Sequence, residues 1–446
     1  MIWHPESWRS FPIQQQPEYR DPRAVEAALS VVRQLPPLVA YGEVDTLRQH
    51  VARAARGEAF ILQGGDCAER FSDCNRTAIE AKLKILLQMS LVLTWGARLP
   101  IVRIGRLAGQ YAKPRSSALE TIDGVTLPTY RGDHVNGHDF DPAQREPDPN
   151  RLIDAYHHSA ATLNYARALL DGGFADLRNP HHWDLAFFRN DQRRHEYEQA
   201  LDKILDALDF ALVTGIDNHA SLRTVELFSS HEGLLLAYEE AQTERVDNRW
   251  YNLGAHTLWI GDRTRQLDGA HIEYFRGIEN PVGIKVGPSM TPAELVELLN
   301  VVEPQNRPGR ISLITRFGYG RVQELLPPLV RACTSTGRSV AWICDPMHGN
   351  TRTASSGYKT RLFNDVRAEL ELTFDVLAQL GQPLAGVHFE MTGDDVTECL
   401  GGPQELSEAD LPRSYDTWCD PRLNYAQSLE MAFLLAMHLR RPGLRA

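Results

Sequence analysis

Four residues with the chemistry of divalent-metal ligands stand just after apolar runs of this chain or in the loop beyond the last. Cys67 follows Ala59-Phe60-Ile61-Leu62-Gln63-Gly64-Gly65-Asp66, and His348 follows Val340-Ala341-Trp342-Ile343-Cys344-Asp345-Pro346-Met347. Glu390 closes Gly386-Val387-His388-Phe389, and Asp420 lies in Cys419-Asp420-Pro421-Arg422. A mixed thiolate, imidazole and carboxylate shell suits Mn, Fe, Co or Zn and leaves positions for water or substrate. A lone Cys or His after a strand is ordinarily a packing or hydrogen-bonded residue. Four of them, far apart in sequence, converge naturally only if their strands close into one parallel barrel.

A second set is cationic. Arg103, Arg106, Lys113 and Arg115 cluster at and after the second apolar run, with Pro114 stiffening the step from Lys113 to Arg115 and Ser116 following. Arg263 follows the fourth run beside Asp262, and Arg316 ends the sixth. Lys285 lies within Pro281-Val282-Gly283-Ile284-Lys285-Val286-Gly287. An ammonium inside an apolar run is costly to bury without a partner, and a bound anion is one solution. Arginine grips carboxylate or phosphate through parallel N–H donors, and lysine acts as a point charge. Cations at several strand ends imply two anionic groups, or one substrate carrying both phosphate and carboxylate. A metal beside them gives a site that polarises a carbonyl next to phosphorylated substrates.

The elements that must position these residues are short. Strand-like runs are predicted at 59–63, 101–104, 211–214, 257–260, 282–286, 311–315, 339–344 and 385–389. Most are continuous rather than alternating, rich in Val and Ile, and bounded by Gly, Pro or Asp, the pattern of strands buried on both faces. Helical patterns at 78–94, 292–302, 321–336 and 364–380 separate most of them. Repeated β-then-α units imply an α/β fold, a (β/α)8 TIM barrel with its active site at the C-terminal ends of the strands. Residues 58–446 are assigned to the barrel and 1–57 to an N-terminal extension of Pro- and Gln-rich coil and two short helices, 22–34 and 44–55. Asp21 is the expected N-cap of the first. The long gap after the second strand predicts a helical insertion between strands 2 and 3, at about 140–210, with helices at 149–170 and 195–210.

Composition narrows the function. Hydrophobic residues are 43% and charged residues 24% of 446, ordinary values for a globular protein. The net charge of −11 argues against nucleic-acid binding, though a few Arg and Lys still make a local positive pocket. Six scattered cysteines fit a reducing cytosol rather than a disulfide framework. No basic stretch followed by an apolar one opens the chain, and no apolar run reaches ~18 residues. Neither a secretory leader nor a membrane span is expected, and a cytoplasmic location is.

Six motifs carry a resemblance. They are Gly64-Gly65-Asp66-Cys67-Ala68-Glu69, Gly109-Gln110-Tyr111-Ala112-Lys113-Pro114-Arg115-Ser116, Arg263-Thr264-Arg265-Gln266-Leu267-Asp268-Gly269-Ala270-His271, Asp345-Pro346-Met347-His348-Gly349-Asn350-Thr351, Val396-Thr397-Glu398-Cys399-Leu400-Gly401-Gly402 and Cys419-Asp420-Pro421-Arg422-Leu423-Asn424. Together they resemble the type II class of 3-deoxy-D-arabino-heptulosonate 7-phosphate (DAHP) synthase, the first enzyme of the shikimate pathway. The likeness runs from about residue 58 to about 437, with weaker likeness in the extension.

The resemblance implies condensation of phosphoenolpyruvate with erythrose 4-phosphate. It implies Cys67, His348, Glu390 and Asp420 as ligands of a divalent metal, Mn(II) or Co(II). It assigns Arg106, Arg263, Lys285 and Arg316 to phosphoenolpyruvate, with Asp262 standing where the family pattern carries Glu. It assigns Lys113, Arg115 and Ser116 to erythrose 4-phosphate, and makes Cys67 and Cys419 a redox pair. It further implies a homodimer or homotetramer, tryptophan as a feedback effector acting through the insertion, and a chorismate mutase as a candidate partner. The rival enzyme reading is a 3-deoxy-octulosonate 8-phosphate synthase. The rival of another class is a retired barrel serving as a scaffold, against which the intact set of buried charges argues.

Overall fold

The computed structural model describes residues 3–172 and 225–440, together with His195, Glu198, Gln199, Asp202, Lys203, Asp206 and Phe210. Eight strands make the centre: β1 (Phe60–Gly65), β2 (Ile101–Arg106), β3 (Phe228–Glu232), β4 (Thr257–Ile260), β5 (Val282–Val286), β6 (Ile311–Thr315), β7 (Ala341–Cys344) and β8 (Gly386–Glu390). Each pairs in parallel with the next, and β8 pairs with β1 to close the barrel. Closure leaves no unpaired strand edge. It also explains why these runs are apolar throughout, since one face meets the lumen and the other meets helices. In β5 all five positions are buried, Lys285 among them.

The lumen is filled from below. Ile61, Ile104, Phe228, Trp259, Ile314 and Ile343 form one buried cluster with Leu47, Val51 and Ala54 of the Tyr41–Ala55 helix. That helix therefore stoppers the barrel at the end opposite the strands' C-termini. The other end is left to polar side chains.

Helices follow the strands: Arg76–Ala97 after β1, Pro292–Val302 after β5, Val322–Ser335 after β6, Phe363–Gln379 after β7 and Tyr425–Leu439 after β8. Their starts are written in the sequence. Asp21 caps Pro22–Gln34 by accepting from the Arg23 N–H, and Thr291 with Glu294 makes a capping box before Pro292. The helices after β3 and β4, Leu236–Ala241 and Ala270–Phe275, are too short to show a helical period in the sequence.

Two expectations are corrected. The third strand is Phe228–Glu232, not 211–214, a run that lies outside the described residues. The true strand was passed over because it is polar: Ser229, Ser230 and His231 are buried, and each makes a hydrogen bond where an apolar strand would make only apolar contact. Arg103 does not join the cationic cluster. It lies three residues from Arg106 on the same strand, so it faces outward, where its Nε donates to Ser90 Oγ at 2.7 Å.

Between β2 and β3 the described residues hold a hairpin, Leu119–Ile122 with Val125–Pro128, and the Asn150–Asp171 helix. The predicted helix at 195–210 lies mostly outside the described residues. Among the described residues no helix is long and apolar enough to cross a membrane.

Candidate active site

The chain turns abruptly after β1. Gly65 has φ +148°, and a Cβ there would fall 2.6 Å from the Arg106 carbonyl oxygen. Only glycine allows β1 to approach β2 so closely, and the turn delivers Asp66 and Cys67 to the rim. Strand register sets Gly65 level with Arg106 on one side and Glu390 on the other. Cys67, Glu390 and Asp420 thereby converge, with ligand atoms all within 4.8 Å of one another. His348 stands beside the group without being one of its mutually close members: its Nε2 lies 3.0 Å from Glu390 Oε1, and its Nδ1 lies 2.7 Å from Asp345 Oδ2. A carboxylate behind an imidazole fixes the ring and leaves the far nitrogen to bind.

These donors are held by cations. Glu390 Oε2 accepts from Arg361 at 2.7 Å, and its Oε1 lies 3.3 Å from Arg106 Nη2. Burial opposes the Glu390 charge, but His348, Lys113 and Arg361 outweigh it and hold the carboxyl well below its usual range. Asp420 is likewise held down against burial, chiefly by Lys113. The Lys113 ammonium sits among three donors: it contacts Cys67 Sγ, lies 2.7 Å from Asp420 Oδ2 and 3.4 Å from Glu390 Oε1. Burial opposes its charge too, but Asp420, Cys67 and Glu390 keep it protonated. The donor set is thus arranged for a cation, and its softness and mixed charge fit a transition-metal dication. Burial and the Cys419 contact push the Cys67 thiol up, a direction that a bound dication reverses. The same contact pulls Cys419 down.

Beside this cluster opens a cavity of about 510 Å³. Cys67, Asp420, His348, Arg106, Lys113, Arg115, Ser116, Asp262, Arg263, Lys285 and Arg316 all line it. Glu390 and Cys419 lie behind its wall. Arg106 and Lys285 sit over the Trp259 ring, 5.1 and 5.8 Å from its centroid. Arg106 is fixed from behind by the Asp66 and Cys67 carbonyls and by His388 Nε2. Burial, with Lys285 and Arg106 nearby, holds His388 well below the usual imidazole range, so its neutral ring accepts from the guanidinium.

Lys285 is not unpartnered, because Asp345 contacts it directly. Burial still lowers the Lys285 pKa to about 8. Asp262 reaches Arg316 Nη1 at 2.9 Å and Arg265 Nε at 2.9 Å, so the shorter acid does engage a cavity cation. Arg263 Nη2 donates to Ser116 Oγ at 3.0 Å, joining the two cationic groups.

Sequence reasoning missed Glu232, which ends β3 and lines the cavity. Its Oε1 is buried without a hydrogen-bond partner. Burial pushes its carboxyl up, against the pull of Lys113, Lys285, His348 and Arg106. Asp345, Arg361 and Lys359, 3.3 Å from Asp420 Oδ1, were also missed. Asp345 stood in plain view within the Asp345-Pro346-Met347-His348 motif.

Residues 3–436 match the class-II DAHP synthetase family. The chain belongs to that family. A Streptomyces coelicolor protein is 52% identical, with 96% of each chain covered. One from Neurospora crassa is 50% identical, covering 98% of this chain and 94% of its own. One from Mycolicibacterium smegmatis is 46% identical, covering 96% and 93%. All three are named phospho-2-dehydro-3-deoxyheptonate aldolase. DAHP synthase activity, the first step of the shikimate pathway, follows from membership at this identity over the whole chain.

Proposed function

We propose that this DAHP synthase is metal-dependent and condenses phosphoenolpyruvate with erythrose 4-phosphate. The observation that carries the proposal is the convergence of Cys67, Glu390 and Asp420, with His348 beside them, on the wall of a cavity lined by Arg and Lys. Cys67, His348, Glu390 and Asp420 would hold the metal; their mixed donors suit Mn, Fe, Co or Zn, and the resemblance narrows these to Mn(II) or Co(II). Such a dication supplies Lewis acidity toward the aldehyde of the aldose.

The chain's own residues do the rest. Arg106, Arg263, Lys285 and Arg316 grip the carboxylate and phosphate of phosphoenolpyruvate, and Asp262 holds Arg316 at its working angle. Lys113, Arg115 and Ser116 receive the phosphate of erythrose 4-phosphate. The two grips set C3 of phosphoenolpyruvate against the aldehyde carbon, so binding supplies the orientation. As that C–C bond forms, C2 becomes electron-poor and water adds to it. Glu232 is placed to accept the proton of that water, because its Oε1 is unpartnered and its raised pKa makes it a stronger base than an ordinary carboxylate. Collapse of the adduct expels phosphate and leaves the ketone of the product.

Phosphoenolpyruvate consumption with erythrose 4-phosphate, before and after EDTA and with Mn or Co restored, tests the proposal. Arabinose 5-phosphate serves as the rival aldose. Activity that survives complete metal removal refutes metal dependence. His348→Ala should abolish turnover and weaken metal binding while the protein stays folded.

The proposal extends to matters supported by the resemblance alone: a homodimer or homotetramer, feedback by tryptophan and partnership with a chorismate mutase. A cytoplasmic location is supported by six free cysteines.

A further inference from the structure

The glutamine triplet of the extension reads as plain coil in sequence, yet Gln15 has φ +63°. A non-glycine residue in the left-handed region is strained and persists where its surroundings demand it. Those surroundings are at the barrel mouth. The segment leading to Gln15 is pinned along the barrel flank: Trp3 Nε1 donates to the Glu273 carbonyl, Trp8 Nε1 to Glu240, and the Ala270 N–H to the Pro12 carbonyl. Just after it, Gln16 Nε2 donates to the Leu234 carbonyl at 2.7 Å.

Between these anchors, Gln15 touches the loop that carries Lys113, Arg115 and Ser116. Its Oε1 accepts the Arg115 backbone N–H at 2.9 Å. Its carbonyl accepts from Arg131 Nη1 at 3.1 Å, and the Arg131 carbonyl in turn accepts the Lys113 N–H at 2.9 Å. Gln15 thus holds the loop from both sides. Gln15 binds the backbone of Arg115 and not its guanidinium, which reaches Cys419 Sγ at 4.0 Å on the cavity side, where Arg115 is part of the lining.

We propose that Gln15 is a positioning residue for the aldose-phosphate loop, through which the N-terminal segment sets the specificity site. This rests on the reading of Lys113, Arg115 and Ser116 as the erythrose 4-phosphate grip. The carbonyl contact survives any substitution, so the side-chain contact is the part that mutation isolates.

The test is steady-state kinetics on the full chain for Gln15→Ala, Gln15→Gly and Arg115→Ala, with thermal melts alongside. Glycine fits the backbone angle, so an effect in Gln15→Gly cannot come from strain. Both Gln15 variants should raise KM for erythrose 4-phosphate about fivefold, the worth of one neutral hydrogen bond. KM for phosphoenolpyruvate and the melting temperature should stay unchanged. Arg115→Ala should raise the aldose KM further, since it removes a charged contact. An unaltered aldose KM in both Gln15 variants, alongside a raised one in Arg115→Ala, overturns the inference and spares the reading of the loop. Equal changes in both KM values with a lowered melting temperature overturn it as well, because they show a merely structural role. No effect in Arg115→Ala overturns the reading of the loop and the inference with it.

Discussion

Arg422 Nη1 lies 2.7 Å from Asp66 Oδ1, and both side chains are essentially out of solvent, at 6% and 0% exposure. The pair ties the residue before Cys67 to the segment just after Asp420, two loops of the proposed metal site that share no strand. Arg422 also grips Glu398, and Asp66 is held from its other side by Lys82 at 2.5 Å. Burial opposes the Asp66 charge, but Lys82 and Arg422 hold its pKa down at about 2. These buried ions fix the distance between Cys67 and Asp420.

Replacing Arg422 with Met should therefore cost more than stability. Leaving Asp66 and Glu398 short of a partner should destabilise the fold by about 3–5 kcal/mol, the usual penalty for a broken buried pair. Metal affinity should fall by about 10- to 100-fold, as for other groups that orient ligands. Titration calorimetry with Mn(II) and urea unfolding measure the two effects. Unchanged metal affinity in a destabilised variant shows that the network supports the fold only.

Asp262 tests the grip on phosphoenolpyruvate. Its two oxygens engage Arg316 and Arg265, at 2.9 Å each. Asp262→Asn keeps the shape but removes the charge and replaces one acceptor oxygen by an NH2 donor, so one of the two bonds to arginine is lost and the other is weakened. KM for phosphoenolpyruvate should rise about tenfold, near the low end for a hydrogen bond to a charged group. KM for the aldose should not change. A selective rise for the aldose instead would place Arg316 in the other subsite.

The parts of the site legible in the sequence are those whose position follows from strand ends alone. Cys67, His348 and Glu390 sit at or just after the ends of apolar runs, so their place on the barrel rim needed only the barrel. What depends on barrel register was hidden. Lys285 was expected to need a partner, with a bound anion as one solution; the partner is Asp345, brought to it across β6 by the order β5-β6-β7. The third strand was hidden for a different reason. Ser230 faces Gln63 Nε2 at 3.0 Å inside the barrel, so polar pairing replaces the apolar pattern that marks the other strands. Losing that strand meant losing Glu232 with it. Arg103 was misassigned by ignoring that residues three apart on a strand face opposite ways.

Glu369 gives a pH-dependent prediction. From the Phe363–Gln379 helix it accepts from the Phe317 N–H at 2.8 Å and from Asn350 Nδ2 at 2.6 Å, stapling the loops after β6 and β7. Burial outweighs these donors and raises its pKa from 4.5 to about 7. A raised carboxyl pKa means that the folded state holds the proton more tightly than the unfolded chain. Its contribution to stability is fully present below about pH 4.5 and is lost as pH rises through about 7. Glu369→Gln cannot titrate. The stability of the parent relative to this variant should fall by about 3 kcal/mol across that interval, read by urea unfolding at stepped pH. A flat difference would show that the N–H donors keep the carboxylate ionised throughout.

Cys67 and Cys419 carry the last prediction. Both are buried free thiols packed in one small cluster with Tyr130. The Cys67 neighbour first, and then the Lys113 and Arg115 charges, outweigh burial and favour thiolate on Cys419, and a thiolate is the form that reacts. Hydrogen peroxide, taking two electrons and the two thiol protons from the pair, should join the sulfurs and leave as two molecules of water. A disulfide at Cys67 removes one donor from the metal cluster, so metal should leave as the bond forms. Peptide mapping should find the Cys67–Cys419 link, and bound metal should fall in step with it. Saturating Mn(II) should slow the oxidation by occupying Cys67. Cys419→Ser should keep its metal under the same peroxide dose, and thiol reductant should restore the parent. Metal loss in the Ser variant at the parent's rate would assign the sensitivity to oxidation of Cys67 alone.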